Sequence, residues 1–213
     1  MRVNTKHGKK RIFISNTLVV FFCLMAFILS GSDYRVGGTF SENDRQEVES
    51  FFNEAEVLYL SKFKLDSNFV IHIYICKNGE EFSKLTGANG WNGGHSRGNT
   101  IFLQRIEALR QRRILGLTIM HEFLHFCIGR VAGRNCPVWI NEGIVLNLSG
   151  EIANLDCTGI NTGNLLDEKT IEENIRSGVR DKSKEGYCKA GIWVGKLIQR
   201  AGFEKNPGMP CIT

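Results

Sequence analysis

The sequence predicts an α+β fold: a small mixed sheet packed on two apolar helices, followed by a helical C-terminal half. Three observations carry that expectation. The runs Phe69–Cys76 and Thr100–Gln104 are rich in β-branched and aromatic residues and read as strands. Between Ile114 and Ile128 an almost unbroken apolar run has helical spacing, and a second helix begins at Pro137, with Ile140, Ile144, Val145 and Leu148 on its buried face. Past Gly150 the chain turns polar, and its remaining apolar residues recur at helical intervals.

The first 32 residues stand apart. Arg2, Lys6, Lys9, Lys10 and Arg11 form a basic cluster, and an apolar core, Leu18 to Leu29, follows it. That core has the size of a signal-peptide h-region and is short for a membrane span. Ser30 and Ser32 are small enough to mark a cleavage site; including Ile12 to Thr17 gives a segment long enough for an uncleaved anchor. Residues 1–32 are therefore expected to be a signal peptide or an N-terminal membrane anchor. Residues 33–213 form a single domain, and the mature protein lies outside the cytoplasm. The formal charge of +5 is carried by the five basic residues of this segment. The remainder is formally neutral, so no electrostatic footprint of a nucleic-acid binder is present.

Ser41 to Lys64 reads as an amphipathic helix, with Ser41 and Asp44 as capping candidates and Val48, Phe51, Phe52, Ala55 and Leu58 as its apolar stripe. His72 alternates with isoleucines in the first strand and belongs on its polar face. Glu80 to Thr86 is a short helix. Gly87 to Asn99 is expected to be a loop, with His95 solvated in it. Glu168 to Arg176 is a helix, Gly178 to Gly186 a charged loop, and Tyr187 to Ala201 the last helix.

The chain has seven cysteines, one of them, Cys23, in the N-terminal segment. The other six, in an oxidising compartment, suggest disulfides. No C-x-x-C pair occurs, which disfavours a thiolate metal site. A Cys127–Cys136 bridge would staple the two apolar helices; free buried thiols are the alternative, and six cysteines allow many connectivities.

The chemistry is concentrated in His121-Glu122-Phe123-Leu124-His125. Residues four apart share a helix face, so both imidazoles can close on one Zn²⁺. Glu122 is placed to take a proton from a water beside that metal. Two histidines and a glutamate in an apolar helix need partners, which argues against an accidental pentapeptide. A catalytic zinc site usually takes three protein ligands. No third histidine follows closely, but Glu142 does, early on the Pro137 helix among apolar neighbours.

His-Glu-x-x-His followed by Trp139-Ile140-Asn141-Glu142-Gly143 resembles the gluzincin zinc metallopeptidases, nearest to their aminopeptidase-like and peptidase MA-like catalytic domains. The resemblance spans residues 69–203 and implies a zincin-like fold with Glu142 as third ligand. Tyr187-Cys188-Lys189-Ala190-Gly191 is similar to that family's Y-x-K-G-A segment, which implies that the Tyr187 hydroxyl stabilises the oxyanion; an ordinary core tyrosine is the alternative. The family's substrate edge strand, just before the metal helix, would correspond to Thr100–Gln104. The G-x-M-E-N segment that recognises a substrate N-terminus is missing, and the spacer to Glu142 is slightly short. The implied function is zinc-dependent hydrolysis of peptides or proteins, with Glu122 as general base. The competing expectation is a non-enzymatic binding protein on a retired metallopeptidase scaffold.

Overall fold

A computed structural model of the protein describes residues 32–133, 136–161 and 167–202, which belong to one compact unit. The candidate targeting segment, apart from Ser32, lies outside the described residues. Among the described residues no helix is long and apolar enough to cross a membrane.

The elements run β1 (Asp33–Gly38), α1 (Glu42–Phe63), β2 (Val70–Ile75), α2 (Gly79–Thr86), β3 (Gly94–Arg97), β4 (Thr100–Leu103), α3 (Ile106–Gln111), α4 (Leu115–Ala132), α5 (Val138–Leu148), a 3-10 helix (Glu151–Asn154), α6 (Glu168–Arg176) and α7 (Arg180–Ala201). The fold is mixed α/β and mostly helical among the described residues. Its four strands form one mixed sheet in the order β1-β2-β4-β3. β1, β2 and β4 are parallel, and β3 returns antiparallel to β4.

Alternation decides which face is buried. Ile71, Ile73, Ile75, Ile101 and Leu103 are fully buried, while His72 is exposed on the opposite face, as its position in the pattern requires. Phe52 of α1, Phe69 beside β2, and Phe123 and Phe126 of α4 form a chain of ring contacts 4.9–6.3 Å between centroids. That aromatic seam joins α1, the sheet and α4 in one core.

α1 starts at a capping box. The Asp44 amide donates to Ser41 Oγ at 3.2 Å, and the Ser41 amide donates to Asp44 Oδ2 at 3.0 Å. Arg110 of α3 adds a hydrogen bond to Asp44 Oδ1 at 2.7 Å. α1 ends at Lys64, in the left-handed conformation (φ 53°). The predicted stripe is off at one place: Leu58 is 44 % exposed, and Tyr59 and Phe63 are buried instead.

α5 lies against α7 without a gap. A Cβ on Gly143 would fall 2.4 Å from Val194 Cγ2 and 2.6 Å from the Ala190 carbonyl oxygen, so only glycine permits this approach. Trp139 stacks on Trp193 at 4.6 Å with planes 8° apart. Asn147 Nδ2 donates to the carbonyls of Gly143 and Gly191 at 2.7 Å each. The tryptophan and the glycine of the Trp-x-x-Glu-Gly segment are thus the fittings that seat the Glu142 helix.

Several expectations are corrected. The segment Gly87–Asn99 contains strand β3, and β3 is the edge of the sheet; β4, expected there, is an inner strand. Gly-His-Ser-Arg has no apolar alternation to announce a strand, and its pairing is made by the tight turn at Gly98-Asn99, where Gly98 has φ +60°. β1 and α3 were not expected at all. α7 begins at Arg180, so the charged stretch before Tyr187 is helical. Cys127 is not bridged to Cys136: Cys127 and Cys76 are free and buried, Cys136 is disulfide-bonded, and Cys157 pairs with Cys188.

Candidate metal centre

His121 and His125 lie one turn apart on α4, and Glu142 reaches them from the first half of α5. One donor atom from each lies within 4.8 Å of the others. The edges of this triangle are 3.0 Å between the two Nε2 atoms, 3.6 Å from His121 Nε2 to Glu142 Oε2 and 3.5 Å from His125 Nε2 to the same oxygen. A tetrahedral ion with bonds of about 2.0–2.1 Å sets its ligand atoms about 3.3 Å apart. The three distances bracket that edge.

The outer nitrogens set the tautomers. His121 Nδ1 is 2.7 Å from Glu151 Oε1, and His125 Nδ1 is 2.8 Å from Asn141 Oδ1. Both partners are acceptors here, so each Nδ1 carries the hydrogen and each neutral ring turns its Nε2 lone pair inward. Two lone pairs and a carboxylate oxygen then converge with nothing protonic between them. Glu142 Oε2 is buried without a hydrogen-bond partner. A buried acceptor in that state is costly unless a cation satisfies it. The donor set and its spacing therefore fit a metal ion.

The titration behaviour has the same origin. Burial pushes the Glu142 carboxyl up, but the two histidines outweigh it and hold the group well below the usual carboxylate range. Burial pulls the His121 imidazole down, and the Glu142 and Glu151 carboxylates overcome this and raise it well above its ordinary value. His125 is raised by Glu142, again against burial.

Glu122 sits on α4 beside the cluster and is 5 % exposed. Burial raises its carboxyl above the ordinary value, although His121 and His125 oppose the shift. Its ceiling is β3: an added Cβ on Gly94 would stand 2.6 Å from Glu122 Cγ and 2.9 Å from Oε1. Tyr187, on α7, is half-buried at the rim of the core. The charges of Glu142, and less strongly Glu122 and Glu151, together with burial, raise its phenol well above 10.0. His95, expected as a solvated loop residue, is half-buried on β3. Burial lowers its pKa, and it lies close enough to His125 and Glu142 to feel their charges.

Three contributors were missed by the sequence reading. Asn141 stood next to a proposed ligand and could have been suspected as a polar side chain in an apolar helix. Glu151 lay in an unremarkable polar stretch, and Gly94 in an apparent loop; neither carried a usable signal.

No family model matches the chain, and no curated protein or solved structure matches it.

Proposed function

We propose that this protein is a zinc-dependent hydrolase of peptide bonds, gluzincin-like in its site and zincin-like in its fold, working outside the cytoplasm. The observation that carries the reading is the convergence of His121 Nε2, His125 Nε2 and Glu142 Oε2, which has no hydrogen-bond partner, beside a buried Glu122.

His121, His125 and Glu142 would hold the metal. When bound, zinc would supply Lewis-acid chemistry, acidifying water and drawing charge from a carbonyl oxygen. Glu122 accepts the proton of the attacking water and returns it to the leaving amine. The Gly94 backbone lies against its side chain and limits where the carboxylate can move. Tyr187 keeps its proton because neighbouring carboxylates oppose phenolate formation. In this reading the protonated hydroxyl donates to the oxygen that becomes negative as the tetrahedral centre forms. Glu151 and Asn141 hold the two imidazoles in the tautomer that ligation needs. The open edge of β3, beside Glu122, is where an extended substrate backbone could add to the sheet.

The test combines metal analysis with turnover. Wild-type protein should hold one zinc per chain and cleave a casein-type substrate. Glu122→Gln should keep the zinc and the fold and lose hydrolysis by several orders of magnitude. Zinc bound with no turnover of any peptide mixture would instead favour a binding protein on a retired scaffold.

A further inference from the structure

Glu151, the partner of His121, stands on a short 3-10 helix near the site. The 3-10 helix Glu151–Asn154 has no buried residue. Ile152 rests on α7 at Gly191, where a Cβ would come within 2.4 Å of its Cδ1. Ser149 Oγ donates to Glu151 Oε1 at 3.1 Å, a bond local to the turn. The Lys184–Asp156 ion pair, 3.0 Å long, is exposed on both sides and weak in salt. Among the described residues a covalent link adds to these. Cys157, six residues past Glu151, is bonded to Cys188, which is fully buried on α7 and adjoins Tyr187.

We propose that the Cys157–Cys188 disulfide is a positioning element of the metal site. It clamps the Glu151 turn to α7, keeps Glu151 on His121, and makes metal affinity depend on the oxidation state of the bridge. The inference rests on the reading of the cluster as a zinc site.

The physical chain is short. A segment with little buried area opens easily on its own. Among the described residues the bridge is its covalent link to α7, and its contact with the site is the 2.7 Å bond to His121 Nδ1. Cutting the link frees Glu151 to leave, and His121 then loses the acceptor that orients its ring. Cys157 is half-buried and Cys188 fully buried, so Cys157 is the more accessible half of the bridge. The thiolate of a dithiol attacks Cys157 Sγ, the Sγ–Sγ bond breaks, and Cys188 departs as a thiolate that takes up a proton. The reagent's second thiol then closes on the mixed disulfide and releases Cys157. The protein gains two electrons and two protons, and the dithiol becomes its own disulfide.

The experiment measures Zn²⁺ affinity by chelator competition in the wild type, in Cys157→Ser/Cys188→Ser, in Glu151→Gln, and in the combination of all three. The bridge variant and Glu151→Gln should each bind zinc about 10–100-fold more weakly, and the combination no more weakly than either, because both remove the same contact. Wild-type affinity in the bridge variant, or losses that add, would overturn the proposal while leaving the zinc site in place. A wild type that binds no zinc would remove the site reading and this inference with it. Should the double variant not fold, hydrogen exchange answers the question in the wild type treated with dithiothreitol. Exchange in residues 149–157 should rise while α4 stays protected. Unchanged exchange there, once alkylation shows both thiols free, overturns the proposal.

Discussion

Gly94→Ala is a direct perturbation of the chemistry that replaces no ionisable group. The new Cβ would lie 2.6 Å from Glu122 Cγ, 2.9 Å from its Oε1 and 3.0 Å from Thr118 Cγ2. Carbon atoms rest about 3.5–4.0 Å apart, so strand and side chain must separate by about 1 Å. The helix cannot retreat: Phe123 and Leu124 beside Glu122 are fully buried. Either β3 lifts or the Glu122 carboxylate swings away. Overpacking of this kind costs about 1–3 kcal/mol, a fall in Tm of roughly 2–12 °C for a domain of this size. A misplacement of about 1 Å at a reacting group costs about a hundredfold in rate. kcat/KM on a peptide substrate, Tm by differential scanning fluorimetry and zinc content should be measured on one preparation. The expected pattern is a lower Tm and kcat with zinc retained. Gly129→Ala is the control on the same helix. No atom lies within 4 Å of its added Cβ, and replacing a helical glycine should stabilise by about 0.5–1 kcal/mol. A Gly94→Ala protein that melts and turns over like wild type would refute the placement of β3 on Glu122.

Tyr187→Phe should lower kcat about 10- to 1000-fold with KM and Tm little changed, the pattern of a lost oxyanion donor; an unchanged kcat with a lowered Tm would make it a core tyrosine. Gly143→Ala should destabilise by about 1–3 kcal/mol and loosen α5 from α7, seen as lower Tm and weaker zinc binding together. Wild-type Tm there would contradict the α5–α7 contact. Asp44 carries a prediction for acid stability. The Arg110 guanidinium, with the Ser41 hydroxyl and amide, holds its carboxyl below the ordinary value. A depressed folded-state pKa contributes stability that is complete above the unfolded value of about 3.9 and is lost as pH falls through the folded value. Asp44→Asn should therefore cost stability near neutral pH and flatten the fall of urea midpoints below about pH 4; an identical acid limb in both proteins would show that Asp44 does not titrate on unfolding.

The chemistry-bearing residues were legible because local rules bind them. Helical periodicity alone puts His121 and His125 on one face, and Pro137 starts the helix that carries Glu142. The isoleucine alternation of β2 likewise announces its own buried face. β3 was illegible for an equally physical reason. It is a strand of four residues without apolar alternation, held by pairing to β4 and by the close approach to Glu122 that Gly94 permits, and neither is a property of the segment itself.

By itself, then, the sequence determined a buried helix with two imidazoles on one face, a carboxylate between them in sequence, a following helix with another carboxylate, and a mixed chain of a few strands and many helices. Tertiary structure decided the rest. It brought Glu142 Oε2 to within 3.6 Å of both Nε2 atoms, set Glu151 on His121 from thirty residues away, and laid Gly94 over Glu122. It also chose Cys188 for Cys157 and left Cys127 unpaired. The reason is one of range. Period and capping act over a few residues and can be read along the chain, whereas hydrogen-bond partners, close approaches and disulfides depend on which distant surfaces the buried core brings into contact.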